Sequence, residues 1–120
     1  TGMQQWEDAK KSYTRALELD ANNPLVYVGL GNLAMIQRDF VATKKYYDQA
    51  AAIDAALPKV ITLEGDLAAA QGNFKAAIPA YERLVKTRPE NIMYRTVLAW
   101  SYTNVDEFKK AQELIDRVLT

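Results

Sequence analysis

Catalysis needs nucleophilic or titratable side chains that converge, and this chain offers few kinds of them. Its 120 residues include neither Cys nor His. That removes a thiol nucleophile, the Ser–His and Cys–His pairs, the usual structural zinc sites and any disulfide framework. Carboxylates and lysines remain. Glu64 and Asp66 stand two residues apart, and on one helix that spacing points them in different directions, so they make no acid–base dyad. The chain has no phosphate-cradling Gly loop and no metal-ligand cluster. The expectation is a protein that is not an enzyme and needs no cofactor or metal.

Charge narrows the partners. Fifteen Lys and Arg balance fifteen Asp and Glu, for a formal net charge of zero. Phosphate backbones demand a concentrated excess of cations, so nucleic acid is not an expected partner. No apolar run approaches the roughly 20 residues of a membrane-spanning helix. The chain is 49% hydrophobic with five Gly and four Pro, the composition of a folded domain rather than a disordered segment. Two cationic pairs, Lys10-Lys11 and Lys44-Lys45, make either a basic strip for an anionic surface or a solvated helix face. The nearby Asp8, Glu18 and Asp48 favour the solvated face. The compartment stays open, since a chain without Cys suits the cytoplasm and a bacterial envelope alike.

The elements that must position these residues repeat. Trp6, Phe40, Phe74 and Phe108 are each 34 residues apart. The same step relates Ala9, Thr43, Ala77 and Ala111; Tyr13, Tyr47, Tyr81 and Ile115; and Ala16, Ala50, Leu84 and Val118. It also relates Gly31, Gly65 and Ala99, and Pro24 and Pro58 with Ile92 next in line. Within a unit the period is helical: 25–37 and 59–71 carry almost no turn formers, and 40–54 and 74–87 space apolar residues by three and four. Asn22-Asn23-Pro24, Ala56-Leu57-Pro58 and Arg88-Pro89-Glu90-Asn91 separate the units. Arg38-Asp39 and Gly72-Asn73 separate two helices within a unit, with Asp39 and Asn73 suited to cap the second. Pro79, inside a second helix, sits close enough to its start to cause at most a mild bend. Each unit is a helix–turn–helix hairpin that buries its apolar face only by stacking on others.

On these residues the chain resembles the tetratricopeptide repeat family from Trp6 to Leu119. The first-helix signature of that family is matched by Tyr27, Leu30, Gly31 and Ala34, more loosely by Ile61, Gly65 and Ala68, and by Leu98, Ala99 and Tyr102. The second-helix element appears as Ala9/Tyr13, Thr43/Tyr47 and Ala77/Tyr81, and the closing Pro only as Pro89. The resemblance implies an all-α fold: a right-handed α-solenoid of antiparallel helix hairpins, about three and a half units and seven helices. Residues 3–22 read as an unpaired second helix of a preceding repeat, followed by repeats at 24–57, 58–91 and 92–120. The small residues let helices approach closely, and the aromatic four residues later covers the gap. A nucleic-acid stacking platform is the rival reading of these aromatics, and it is rejected because they sit at packing columns in a neutral chain.

Solenoids normally finish with a polar outer face. Here Phe108, Ile115 and Val118 stand at core columns with no capping helix after them, so a fragment of a longer array is expected. The uncovered terminal helices then either join other copies into a homo-oligomer or remain harmlessly exposed.

The resemblance also implies a function. First helices of this family line a concave groove that holds an extended or helical segment of a protein partner. The expected groove residues are Val28, Thr62 and Thr96; Asn32, Asp66 and Trp100; Met35, Ala69 and Thr103; and Lys59 and Met93 near their helix starts. One subclass grips acidic C-terminal tails of heat-shock chaperones with a carboxylate clamp. The clamp positions here hold Val28, Asn32, Leu63, Met93 and Val97, and only Asn32 fits, so a carboxylate finds no cationic donor. Trp100 has two readings, a binding anchor or a packing residue beside the next helix. Glu64 and Arg95, where other units carry apolar residues, read either as a pair across a junction or as two solvated rim charges. The leading expectation is a non-catalytic interaction module or scaffold. The alternative is a structural spacer that makes its contacts through its ends.

Overall fold

Helix breakers and caps divide the chain where their chemistry requires. The computed structural model describes residues 2–119, with side chains at 4–116. It contains α1 (Gly2–Leu19), α2 (Pro24–Ile36), α3 (Phe40–Asp54), α4 (Pro58–Ala70), α5 (Phe74–Thr87), α6 (Ile92–Asn104) and α7 (Phe108–Leu119). No strand occurs among the described residues.

Pro24 and Pro58 open α2 and α4, positions where a missing N–H costs nothing. Asp39 and Asn73 act as expected: each side chain accepts the backbone N–H three residues on, from Ala42 at 3.1 Å and Ala76 at 3.2 Å. Asn23 and Asn91 are further caps, accepting from Leu25 at 3.0 Å and Tyr94 at 3.1 Å. α5 continues unbroken through Pro79.

Three hairpin turns share one device. Arg38, Gly72 and Asp106 take φ of 61°, 77° and 63°, a left-handed step that ends the preceding helix. The next N–H then reaches back to a free carbonyl: Asp39 to Ala34 at 2.8 Å, Asn73 to Ala68 at 2.9 Å, and Glu107 to Tyr102 at 2.9 Å. These residues are again 34 apart, a column invisible to a reading by residue type.

The chain forms two compact units, Thr1–Leu63 and Glu64–Thr120. In the first, α2 packs on α1 and α3. Its core gathers Val28, Ala50, Val60 and Leu63, flanked by Tyr27, Met35, Tyr47, Ala51 and Leu57. In the second, α6 packs on α5 and α7, and Leu67, Ala77, Ala80, Tyr81, Leu84, Leu98, Ala99 and Ala111 are buried. Two hydroxyls, Thr43 and Ser101, are fully buried without penalty. Each donates to the carbonyl four residues back, Asp39 at 2.9 Å and Val97 at 3.0 Å. Of the apolar residues expected at exposed core columns of α7, Phe108 and Ile115 are 60% and 44% exposed; the side chain of Val118 lies outside the described residues.

Candidate partner-binding surface

The expected groove residues fall on the first helices, and the structure treats them differently. In the first unit, Val28 is 6% exposed and belongs to the core cluster. Its side chain is therefore buried rather than open on the expected groove. The reason is that α2 is apolar around most of its circumference, so spacing alone does not say which apolar residue faces in. Met35 packs partly against the same cluster. Asn32 and Lys59 are exposed, and Thr62 is half-buried with its hydroxyl donating to the Pro58 carbonyl at 2.8 Å.

In the second unit, Met93 is 72% exposed and Trp100 50%. Thr96 and Thr103 are exposed, and their hydroxyls donate to the Ile92 and Ala99 carbonyls at 2.8 and 2.9 Å. With their protons committed, these threonines offer a ligand acceptor lone pairs rather than donors. Ala69 is half-buried and small enough to leave its neighbours accessible.

Trp100 satisfies parts of both readings made of it. Its ring meets Phe74 edge to face, with centroids 4.8 Å apart and planes at 88°, while half of its surface stays open. Phe74 thus fixes the indole without covering it.

Asp66 is held rather than free. The Tyr81 hydroxyl donates to its Oδ1 at 2.6 Å. Burial pushes the Asp66 carboxyl above its ordinary range, an effect that the Tyr81 hydrogen bond partly opposes. Burial also pushes the Tyr81 phenol up, reinforced by its bond to Asp66 and by the negative charge there. Tyr81 reaches Asp66 because Gly65 precedes it: a Cβ on Gly65 would stand 2.6 Å from Tyr81 Cε1. Sequence reasoning placed Tyr81 at a packing column and missed its hydroxyl; the signal was a phenol where a Phe would pack equally well.

Glu64 forms an ion pair with Arg83 of α5, a partner that spacing did not suggest. Arg95 donates from Nε to the Pro89 carbonyl. On the outer helices Lys44 pairs with Asp48 at 2.7 Å, both well exposed, so that part of the lysine strip is neutralised locally.

A separate cavity of about 730 Å³ opens in the second unit between α5 and α7. Leu98 and Tyr102 of α6 lie within it, with Pro79, Val85, Glu82, Lys110 and Leu114 around them. Burial, then the charge and hydrogen bond of Glu82, then Glu107, push the Tyr102 phenol up. Charges of both signs line this cavity and select no single ligand chemistry.

Helical hairpins repeating every 34 residues, with capped starts and left-handed stops in phase, define a helical-repeat protein. The tetratricopeptide repeat profile matches residues 2–58 and 62–119, and the chain belongs to that family. Among solved structures, the fold is similar to that of the MamA RS-1 ArsTM double mutant, with a TM-score of 0.80 at 19% identity over 98% of this chain and 66% of that one. It is similar as well to MamA 41-end from Desulfovibrio magneticus RS-1, with a TM-score of 0.80 at 19% identity over 98% and 67%. A further MamA structure gives 0.71 at 23% identity over 93% and 70%. The chain spans about two thirds of the length of these neighbours. No curated protein matches it in sequence. Membership of this family makes the chain a helical-repeat scaffold for protein–protein interaction. No helix among the described residues is long and apolar enough to cross a membrane.

Proposed function

We propose that the chain is a non-catalytic module that holds an extended or helical peptide segment of a protein partner on its first helices. The observation that carries this reading is Trp100: a large aromatic half open on a first helix and fixed at its edge by Phe74. A rigid aromatic surface loses little conformational freedom on binding, which is why such residues act as anchors. Met93, exposed near the start of the same helix, extends the apolar contact. The acceptor oxygens of Thr96 and Thr103 supply hydrogen bonding beside it.

The test is capture from cells of the source organism with the native chain and with Trp100→Ala, after circular dichroism has shown both to be folded. The variant is expected to lose about 2 kcal/mol of partner affinity. Its stability should fall by about 2–3 kcal/mol, from the buried half of the indole and the lost edge contact with Phe74. A partner held equally by both proteins moves the binding site off the first helices.

A second reading has its own observation. Phe108 and Ile115, seven residues apart on α7, expose large apolar side chains on one face. This favours contacts through the terminal helix, as a structural spacer or self-associating segment would make.

A further inference from the structure

Asp66 is a partly buried carboxylate whose described hydrogen bond comes from a neutral group. It is half-buried on α4, and a carboxylate withdrawn from water needs compensation. Its hydrogen-bond partner among the described residues is the neutral Tyr81 hydroxyl. The guanidinium of α5, Arg83, is paired with Glu64. The threonines on the neighbouring first-helix positions spend their protons on backbone carbonyls, so they do not serve Asp66 either.

The tether also fixes where the carboxylate stands. Tyr81 is itself 2% exposed, packed against Gly65, and holds Oδ1 at 2.6 Å. Trp100 of α6 is likewise held against α5, through Phe74. Phe74 and Tyr81 are seven residues apart on α5, hence on one face and separated by about 10 Å along its axis.

We propose that Asp66 accepts a Lys or Arg side chain of the bound peptide, which also carries a large apolar side chain that seats on Trp100. This rests on the peptide-binding reading above and adds the chemistry of the peptide. A ligand cation supplies a charge-assisted hydrogen bond to a carboxylate already oriented and partly dry, where such bonds are strongest. The aliphatic stem of Lys or Arg suits the apolar ground beside Ala69.

The experiment uses a displayed library of random dodecapeptides selected against the native chain, Asp66→Asn and Trp100→Ala. Asn at position 66 keeps an acceptor for Tyr81, and circular dichroism checks that each variant is folded. The native chain is expected to enrich peptides with Lys or Arg at one position and a large apolar residue nearby. Asp66→Asn should keep the apolar preference and lose the basic one. One enriched peptide is then synthesised with its basic residue and with norleucine in its place. Norleucine should weaken binding to the native chain by about tenfold or more, and to Asp66→Asn by less than about twofold. The norleucine comparison on the native chain needs no protein variant. Enriched peptides that depend on Trp100 but show no basic position, or a basic position indifferent to Asp66→Asn, overturn the cation proposal and leave the peptide-binding reading standing. Selection of nothing, or of peptides indifferent to both variants, overturns both.

Discussion

At Arg38 the backbone does what an L-residue resists. A φ of 61° brings Cβ against the following carbonyl and costs about 1 kcal/mol or more, a cost Gly72 avoids at the equivalent turn. Arg38→Gly is therefore expected to raise stability by about 1 kcal/mol in urea unfolding, less whatever the guanidinium gains over the Phe40 ring 5.1 Å away. Gly72→Ala should cost about as much, although a Cβ there meets nothing within 4 Å; the loss comes from the backbone alone. Asp66 gives a second expectation at this scale. Its folded pKa lies above the ordinary value, so the folded state binds a proton more tightly than the unfolded one. Its ionisation removes stability as pH rises through the window between the two values, and that stability returns as pH falls back towards the ordinary carboxylate pKa. Measured from pH 7 down to about 4, the stability of the native chain should improve relative to Asp66→Asn. A parallel pair of curves would show that Asp66 is solvated like any surface carboxylate.

Between elements, the α4–α5 contact depends on one missing methyl group. Gly65 admits the Tyr81 ring so closely that an alanine Cβ would overlap it, and Tyr81 is 2% exposed. Alanine is the better helix former by about 1 kcal/mol, yet Gly65→Ala is expected to destabilise by about 1–3 kcal/mol because overpacking outweighs propensity. The same shift would pull the Tyr81 hydroxyl from Asp66, so near-ultraviolet circular dichroism of the tyrosines should change with it. Unchanged or greater stability would mean that the two helices separate freely, and the close approach would then carry no energy.

For the whole molecule, the exposed side chains of α7 make a prediction about association in solution. Phe108 at 60% and Ile115 at 44% exposure lie seven residues apart on one face of α7, and exposed apolar residues of this size associate when concentration allows. Sedimentation over a hundredfold range of concentration is expected to show a weight-average mass that rises, and a Phe108→Ser/Ile115→Ser variant should stay monomeric. A native chain that is monomeric throughout makes these side chains ordinary exposed residues.

The sequence by itself determined the repeat and most of the boundaries. Period, breakers and caps are local chemistry: Pro24 and Pro58 open helices, Asp39 and Asn73 cap them, and aromatics return every 34 residues because each hairpin packs in the same way. The left-handed column escaped because Arg38 and Asp106 are not residues that announce a positive φ; the closing hydrogen bonds of the turn outweigh their strain. Val28 escaped because α2 has apolar residues on nearly every side, and only the packed neighbours Ala50, Val60 and Leu63 choose which of them is buried. The partners of Glu64 and Asp66 escaped for a further reason. Arg83 lies 19 residues from Glu64 and Tyr81 lies 15 from Asp66, distances that helical spacing does not connect. Folding the hairpin brings them together, and tertiary packing thereby decides which carboxylate is paired with a cation and which is left to a tyrosine.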